Sequence, residues 1–178
     1  KTDRRALIPR SETEILAQQA ITLIRKDYPR VSPFYLLDIG TGTGAIALSI
    51  AHSCTNVYAT AVDISADALD LAKENAKLNQ LEDRVEFLQS KLLSALEGKK
   101  FHGIVSNPPY IPTHTIDSLM PEVAQYEPHI ALDGGEFGFD FYEKIISCAG
   151  EYLYDGGFLA LEASHFQFFP IADRLAEQ

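Results

Sequence analysis

The sequence predicts an α/β fold in which a mostly parallel sheet carries helices on both faces. Segments typical of buried strands alternate with segments of helical periodicity along the 178 residues. A glycine-rich turn follows the first predicted strand, as in many folds of this class. No repeat or linker divides the chain, and 46% of its residues are hydrophobic, so we expect a single core.

Local signals predict the elements in order. A capping-box pattern from Ser11 to Glu14 predicts the start of a helix that extends to Arg25. Five short apolar runs predict the strands 35–39, 57–62, 85–88, 102–106 and 158–162. Helical spacing between them predicts helices at 45–52, from the cap Ser65 to Asn79, at 139–152, and through Ala172 to the end. The pair Gly156-Gly157 predicts a turn before the last strand.

Composition excludes several classes of protein. The net charge of −10 argues against a protein that grips nucleic-acid phosphates over its whole surface. Cys54 and Cys148 are far apart, which argues against a disulfide scaffold or structural zinc and favours the cytoplasm. The histidines lack the spacing of metal ligands, so no metal is expected. No apolar run reaches the ~20 residues that span a bilayer.

The strongest motif is the turn from Asp38 to Gly44. It has the residues Asp38, Ile39, Gly40, Thr41, Gly42, Thr43 and Gly44. It lies at the carboxyl end of the first predicted strand, where open α/β sheets bind ligands, and its glycines allow a ligand to approach the backbone. Asp63 ends the second strand, where a carboxylate can accept hydrogen bonds from both hydroxyls of a ribose. This pattern predicts a nucleotide site.

The spacing of the glycines indicates which nucleotide is bound. It is tighter than the G-x-G-x-x-G pattern that places a pyrophosphate at a helix N-terminus. Asp38 would repel a pyrophosphate but suits the cationic amino-acid end of S-adenosylmethionine. We therefore expect S-adenosylmethionine as the cofactor, and an NAD-dependent dehydrogenase is disfavoured.

A second motif, Asn107-Pro108-Pro109-Tyr110, follows the fourth predicted strand at the same edge of the sheet. The side-chain oxygen of Asn107 and the carbonyl of Pro108 can each accept one hydrogen from a planar nitrogen. The ring of Tyr110 can pack on the flat face of an amide or a base. The pattern predicts a site that aims such a nitrogen at a methyl donor, and the alternative is a proline-stiffened turn.

These segments resemble known enzymes. The turn is similar to motif I of the class I methyltransferases, with a Rossmann-like fold, and Asp63 matches their ribose-binding acid, with Ile64 beside it in the cofactor site. The resemblance places adenine near Lys91 and Leu92, although Lys91 stands where an acid is usual. The Asn-Pro-Pro-Tyr motif is shared by methyltransferases of DNA adenine, RNA bases and protein glutamine.

Two further stretches, 7–14 and 127–142, resemble the HemK/PrmC family of glutamine-N5 methyltransferases of peptide chain release factors. The resemblance implies a release factor as protein substrate, a cytoplasmic location, and catalytic roles for Asn107, Pro108, Pro109 and Tyr110. It divides the chain into a lead-in segment, 1–34, and a methyltransferase domain, 35–178. The closing strand pair of that domain is expected to be missing, and so is the helical domain that would precede Lys1.

Two other functions stay open. A nucleic-acid N6-adenine methyltransferase uses the same motif, but the charge of −10 and the lack of a basic stripe favour a protein substrate, without direct nucleic-acid binding. A non-catalytic module that only binds S-adenosylmethionine is the second alternative. The sequence makes no prediction of oligomeric state.

Overall fold

The structure, a computed structural model, describes residues 1–177. Five strands form one sheet: β1 (Phe34–Ile39), β2 (Val57–Asp63), β3 (Val85–Gln89), β4 (Phe101–Ser106) and β5 (Leu153–Leu161). The helices are α1 (Ser11–Asp27), α2 (Ala45–Ser53), α3 (Ala66–Leu78), α4 (Pro121–Ala124), α5 (Asp140–Tyr152) and α6 (Phe168–Ala176). Gln178, the last residue of the predicted methyltransferase domain, lies outside the described residues.

All strand pairs in the sheet are parallel, in the order β3-β2-β1-β4-β5. Adjacent residues of β1 point to opposite faces, because side chains alternate along a strand. Leu36 packs in a cluster with α1 and α2, whereas Leu37 packs with α5 on the other face. The prediction of a parallel sheet with helices on both faces is confirmed.

The first helix begins at the predicted residue, but the predicted capping box is wrong. Arg10 is the N-cap, and its carbonyl accepts the N–H groups of Thr13 and Glu14. Ser11 is therefore already inside the helix, and its hydroxyl donates to the carboxylate of Glu12 instead of capping. The cap at Ser65 is confirmed, because its side chain accepts the N–H of Ala68 at 3.2 Å.

The predicted turn at Gly156-Gly157 is also wrong, because both glycines lie within β5. Leu153 pairs with Phe101, and Phe158 pairs with Gly103. Between these two pairs β5 contains more residues than β4, so β5 bulges there. Gly156 takes a φ of +76° in this bulge, a conformation that glycine adopts without strain. The strand therefore begins earlier than the apolar run at 158–162 indicated.

Candidate functional site

The carboxyl ends of the strands surround a cavity of about 280 Å³. The loops after β1, β2, β3 and β4 contribute to its walls, together with the segment before α1 and part of α5. The predicted site residues that line it are Gly40, Thr41, Gly42, Thr43, Asp63, Ile64, Lys91, Leu92, Asn107, Pro108 and Pro109. The two motifs that lie far apart in the sequence therefore share one cavity.

Asp63 ties the glycine turn to the end of β2. Its Oδ2 accepts the N–H of Gly42 at 2.9 Å, and its Oδ1 accepts the N–H of Ser65 at 2.9 Å. Each carboxylate oxygen has a second lone pair, so the side chain can still accept hydrogen bonds from a ligand. The carboxylate is thus held in place at the wall of the cavity before any ligand binds.

Asp38 lies behind the turn and does not line the cavity. Its side chain is fully buried, and its Oδ2 accepts the Thr41 hydroxyl at 2.7 Å and the Ala47 N–H at 3.2 Å. Burial raises the pKa of Asp38 to about 6, with the nearby charge of Asp63 adding to the effect, while the two hydrogen bonds act in the opposite direction. Its Oδ1 is buried without a hydrogen-bond partner.

Two other predicted residues also lie outside the lining. Gly44 is the N-cap of α2, and a Cβ there would lie 3.1 Å from Leu48 and 3.2 Å from Ala72, so it serves close packing of the helices. Tyr110 is half-buried against the cluster of Tyr142, Ile146 and Ile171.

The wall beside Lys91 and Leu92, where the sequence resemblance places adenine, is a tight turn after β3. The hydroxyl of Ser90 donates to the carbonyl of Leu92 at 2.8 Å and accepts the N–H of Ala95 at 3.1 Å. Leu92 has a φ of 53°, which is a sparsely populated conformation for a residue with a branched side chain. Lys91 is exposed beside it. The turn is therefore held in one shape at the edge of the cavity.

Asn107 is held by a residue that the sequence did not single out. Its Nδ2 donates to the hydroxyl of Thr13 at 3.1 Å. Thr13 lies in the first turn of α1, is only 6% exposed, and lines the cavity. This bond leaves the Asn107 oxygen available to accept a hydrogen from a ligand.

The Pro109-Tyr110 backbone packs against the glycine-rich stretch before α5. The N–H of Ile111 donates to the carbonyl of Leu132 at 3.0 Å, and the N–H of Gly134 donates to the carbonyl of Ile111 at 2.8 Å. A Cβ on Gly134 would lie 2.8 Å from the Tyr110 Cα and 2.9 Å from the Pro109 oxygen. This close approach explains why the segment that resembles the release-factor methyltransferases needs glycine here.

An ion pair joins the two stretches that carry that resemblance. Arg10 contacts the carboxylate of Glu127 at 2.6 Å, and the Glu127 side chain is only 7% exposed. Pro9 and Pro128, which flank the pair in the sequence, both line the cavity. Nothing in the sequence indicated that these two stretches touch.

Glu162 is a further residue that sequence reasoning missed. It follows β5, and its N–H donates to the carbonyl of Ser106, the residue before Asn107, at 3.0 Å. Burial raises the pKa of its carboxyl, and contacts with the Thr13 hydroxyl and the Asn107 amide lower it. The position at the end of a parallel strand was the only signal in the sequence.

Within residues 1–177, no group of three or more His, Cys, Asp or Glu side chains is placed to hold a metal ion. No helix among the same residues is both long enough and apolar enough to span a membrane.

The chain is similar in sequence to known methyltransferases. Residues 23–126 match the methyltransferase small domain family. A release factor glutamine methyltransferase of Fusobacterium nucleatum is 44% identical over 168 residues, which cover 94% of this chain and 46% of that protein. A protein of the same name from Bradyrhizobium diazoefficiens is 42% identical over 161 residues, 90% of this chain and 54% of that protein.

The chain spans about half the length of these curated relatives. Among solved structures, the catalytic domain of hMettl16 in complex with a hairpin of the MAT2A 3′UTR superposes with a TM-score of 0.75 at 16% identity. The superposition covers 100% of this chain and 66% of the hMettl16 chain. At 16% identity, the likeness shows only the fold, which is that of the class I methyltransferases. Because its residues 23–126 match this family, the chain belongs to the methyltransferase small domain family.

Proposed function

We propose that this chain binds S-adenosylmethionine in the cavity and methylates the side-chain amide nitrogen of a glutamine in a peptide chain release factor. The observation that carries the proposal is the orientation of Asn107. Its Nδ2 is bound to Thr13, so its oxygen is left to accept a hydrogen from the target nitrogen. The names of the relatives that match most of this chain support the choice of substrate.

The residues around the cavity fit the proposed cofactor. Gly40 borders the cavity, and a Cβ on it would meet no protein atom within 4 Å, so the turn leaves open space for a ligand. Asp63 is placed to accept hydrogen bonds from the ribose hydroxyls, beside Ile64. The methionine end would lie along 40–43, with the carboxylate of Asp38 behind the loop to favour its ammonium group. Adenine would lie against Leu92, with Lys91 at its exposed edge.

The reaction is a transfer of a methyl group to nitrogen. The bound cofactor supplies an electrophilic methyl group on a sulfonium. The amide nitrogen of glutamine is a poor nucleophile, because its lone pair is delocalised into the carbonyl. Asn107 accepts one amide hydrogen and the Pro108 carbonyl accepts the other, which aligns the nitrogen with the methyl group. The N–C bond forms as the S–C bond breaks, and the nitrogen then loses one proton to solvent.

The lead-in segment takes part in the proposed site. Arg5, Ala6, Leu7 and Pro9 line the cavity together with the motif residues of 35–178. We therefore propose that 35–178 carries the cofactor-binding and methyl-transfer residues and that 1–34 closes the site from one side. Tyr110 stiffens the Asn-Pro-Pro-Tyr loop from its packed position against Tyr142, Ile146 and Ile171.

A protein substrate also agrees with the charge of the chain. At −10, the surface as a whole repels a nucleic-acid backbone. A release factor acts in translation termination, so we propose that this chain works in the cytoplasm and binds the factor directly, without a membrane or nucleic acid.

The experiment is transfer of a labelled methyl group from S-adenosylmethionine to purified release factor, with duplex DNA and tRNA as parallel acceptors. The protein used is the full-length enzyme. We expect label on the release factor alone. Label on DNA or tRNA would establish the adenine methyltransferase, and cofactor binding without label on any acceptor would establish the non-catalytic module.

A further inference from the structure

The asparagine of the site has two chemically different ends, and only one of them suits the reaction proposed above. Its oxygen can accept a hydrogen from the target amide, whereas its NH₂ group would compete with that amide as a donor. The bond from the Asn107 NH₂ group sets this orientation as long as the Thr13 hydroxyl is the acceptor, and a hydroxyl can donate as well as accept. A further group has to decide the direction of the bond.

We propose that Glu162 and Thr13 act as a pair of positioning residues that hold the oxygen of Asn107 toward the substrate. An ionised carboxylate only accepts hydrogen bonds, so beside Glu162 the Thr13 hydroxyl donates its single hydrogen to the carboxylate. The lone pairs of Thr13 then accept the NH₂ group of Asn107. The inference rests on the proposed function, because it explains how the acceptor of that reaction is oriented.

The backbone places the three residues side by side. The N–H of Glu162 bonds to the carbonyl of Ser106 at 3.0 Å, so the ends of β4 and β5 hold Glu162 next to Asn107. The carbonyl of Glu162 accepts the hydroxyl of Tyr142 at 2.8 Å, and Tyr142 is fully buried. The Thr13 hydroxyl and the Asn107 amide both lower the pKa of the carboxyl, as groups beside it do. Hydrogen bonds to its N–H and to its carbonyl therefore fix the backbone of Glu162.

Burial limits the competition of water for the hydrogen bonds of these three residues. Thr13 is 6% exposed, so water does not compete freely for its hydroxyl. The Oε2 atom of Glu162 is buried without a hydrogen-bond partner, so the carboxylate has a buried acceptor free for the Thr13 hydroxyl. The titratable groups near the carboxylate are Glu12, Tyr110 and Tyr142. Thr13 is the uncharged neighbour that joins the carboxylate to the asparagine.

The kinetic test uses single-turnover methyl transfer to release factor by the full-length enzyme at saturating S-adenosylmethionine. Thr13→Val keeps the shape but removes the hydroxyl, and we expect a rate about tenfold lower, the worth of about one hydrogen bond. Glu162→Gln presents an amide donor to Thr13 and should cause a loss of similar size. Thr13→Ser should restore the rate to within about twofold, since the hydroxyl returns. The dissociation constant of the cofactor should stay within about twofold in all three variants.

Two controls separate positioning from general damage. Thr22 lies on the exposed face of the same helix, where its hydroxyl bonds to the carbonyl of Gln18, so Thr22→Val should leave the rate unchanged. In an Asn107→Ala background, Thr13→Val should cause no further loss, because Thr13 acts through Asn107. Additive losses, or a Thr13→Val enzyme as fast as the parent, would overturn the inference.

A spectroscopic readout keeps the inference independent of the substrate. The side-chain NH₂ signals of Asn107, assigned by their loss in Asn107→Ala, should shift in Thr13→Val and in Glu162→Gln but not in Thr22→Val. Unmoved signals would overturn the positioning role whatever the enzyme methylates. Shifted signals in an enzyme that labels no release factor would uphold the positioning role and refute the proposed function.

Discussion

Replacing Asp63 with alanine removes two hydrogen bonds that shape the cofactor cavity. The carboxylate holds the N–H of Gly42 and the N–H of Ser65, each at 2.9 Å. A hydrogen bond to a charged group contributes roughly 1.5–3 kcal/mol when it is shielded from water, and Asp63 is only partly buried. We therefore expect the free energy of unfolding to fall by about 2–4 kcal/mol for the pair.

The same change should weaken the binding of S-adenosylmethionine. If the carboxylate also accepts the ribose hydroxyls, the loss is a further 1.5–3 kcal/mol or about 10- to 150-fold in the dissociation constant. Asp63→Asn retains one acceptor oxygen, so it should keep one of the two loop bonds and fall between the parent and Asp63→Ala in both measurements. Denaturant unfolding measures the first effect, and titration calorimetry measures the second.

Asn56→Ala supplies the matched control for these two effects, because Asn56 lies before β2 and outside the lining of the cavity. It removes the hydrogen bond from the Asn56 side chain to the carbonyl of Val31 at 2.7 Å, which should cost about 1 kcal/mol of stability and leave the cofactor affinity unchanged. A folded Asp63→Ala protein that binds the cofactor as tightly as the parent would refute the placement of Asp63 in the site.

Three further predictions concern the rest of the cavity. Asn107→Ala should lower methyl transfer at least ~100-fold with little change in cofactor affinity, measured by single-turnover assay against calorimetry, since misplacing a reacting group by about 1 Å can cost that much. Tyr110→Phe should be mild, whereas Tyr110→Ala should be severe because it removes the ring that packs on Tyr142, Ile146 and Ile171; equal effects on turnover would assign the role to the hydroxyl. Burial raises the pKa of Asp38 to about 6, so between about pH 4 and 6 the folded chain holds a proton that the unfolded chain has released. The contribution of Asp38 to the free energy of unfolding should therefore fall by roughly 3 kcal/mol as the pH rises through this window, and Asp38→Asn should remove that contribution from unfolding curves collected across the range; a variant with the same pH dependence as the parent would contradict the raised pKa.

The parts of the site that follow strands could be predicted from the sequence. Asp63 and Asn107 each come at the end of an apolar run, and the carboxyl ends of parallel strands meet at one edge of a sheet. Two local motifs in this position therefore had to come close together, and both line the cavity.

The contacts that depend on tertiary packing could not be predicted. Thr13 reaches the cavity because α1 packs across the sheet. The hydrophobic periodicity of the sequence does not indicate where the first turn of α1 lies relative to the cavity. The pairing of Arg10 with Glu127 joins residues far apart in the chain through a loop of irregular structure. Gly156 has the sequence signal of a turn, but the partner strand decides whether that signal becomes a turn or a bulge.

In the proposed reaction, the Asn107 loop aims a glutamine amide of a release factor at a methyl group carried in this cavity. The most direct measurement is mass spectrometry of peptides from a release factor incubated with the full-length enzyme and S-adenosylmethionine. We expect a gain of one methyl group on a single glutamine, absent when Asn107→Ala replaces the parent enzyme. A methyl group on another type of residue, or an undiminished gain with Asn107→Ala, would contradict it.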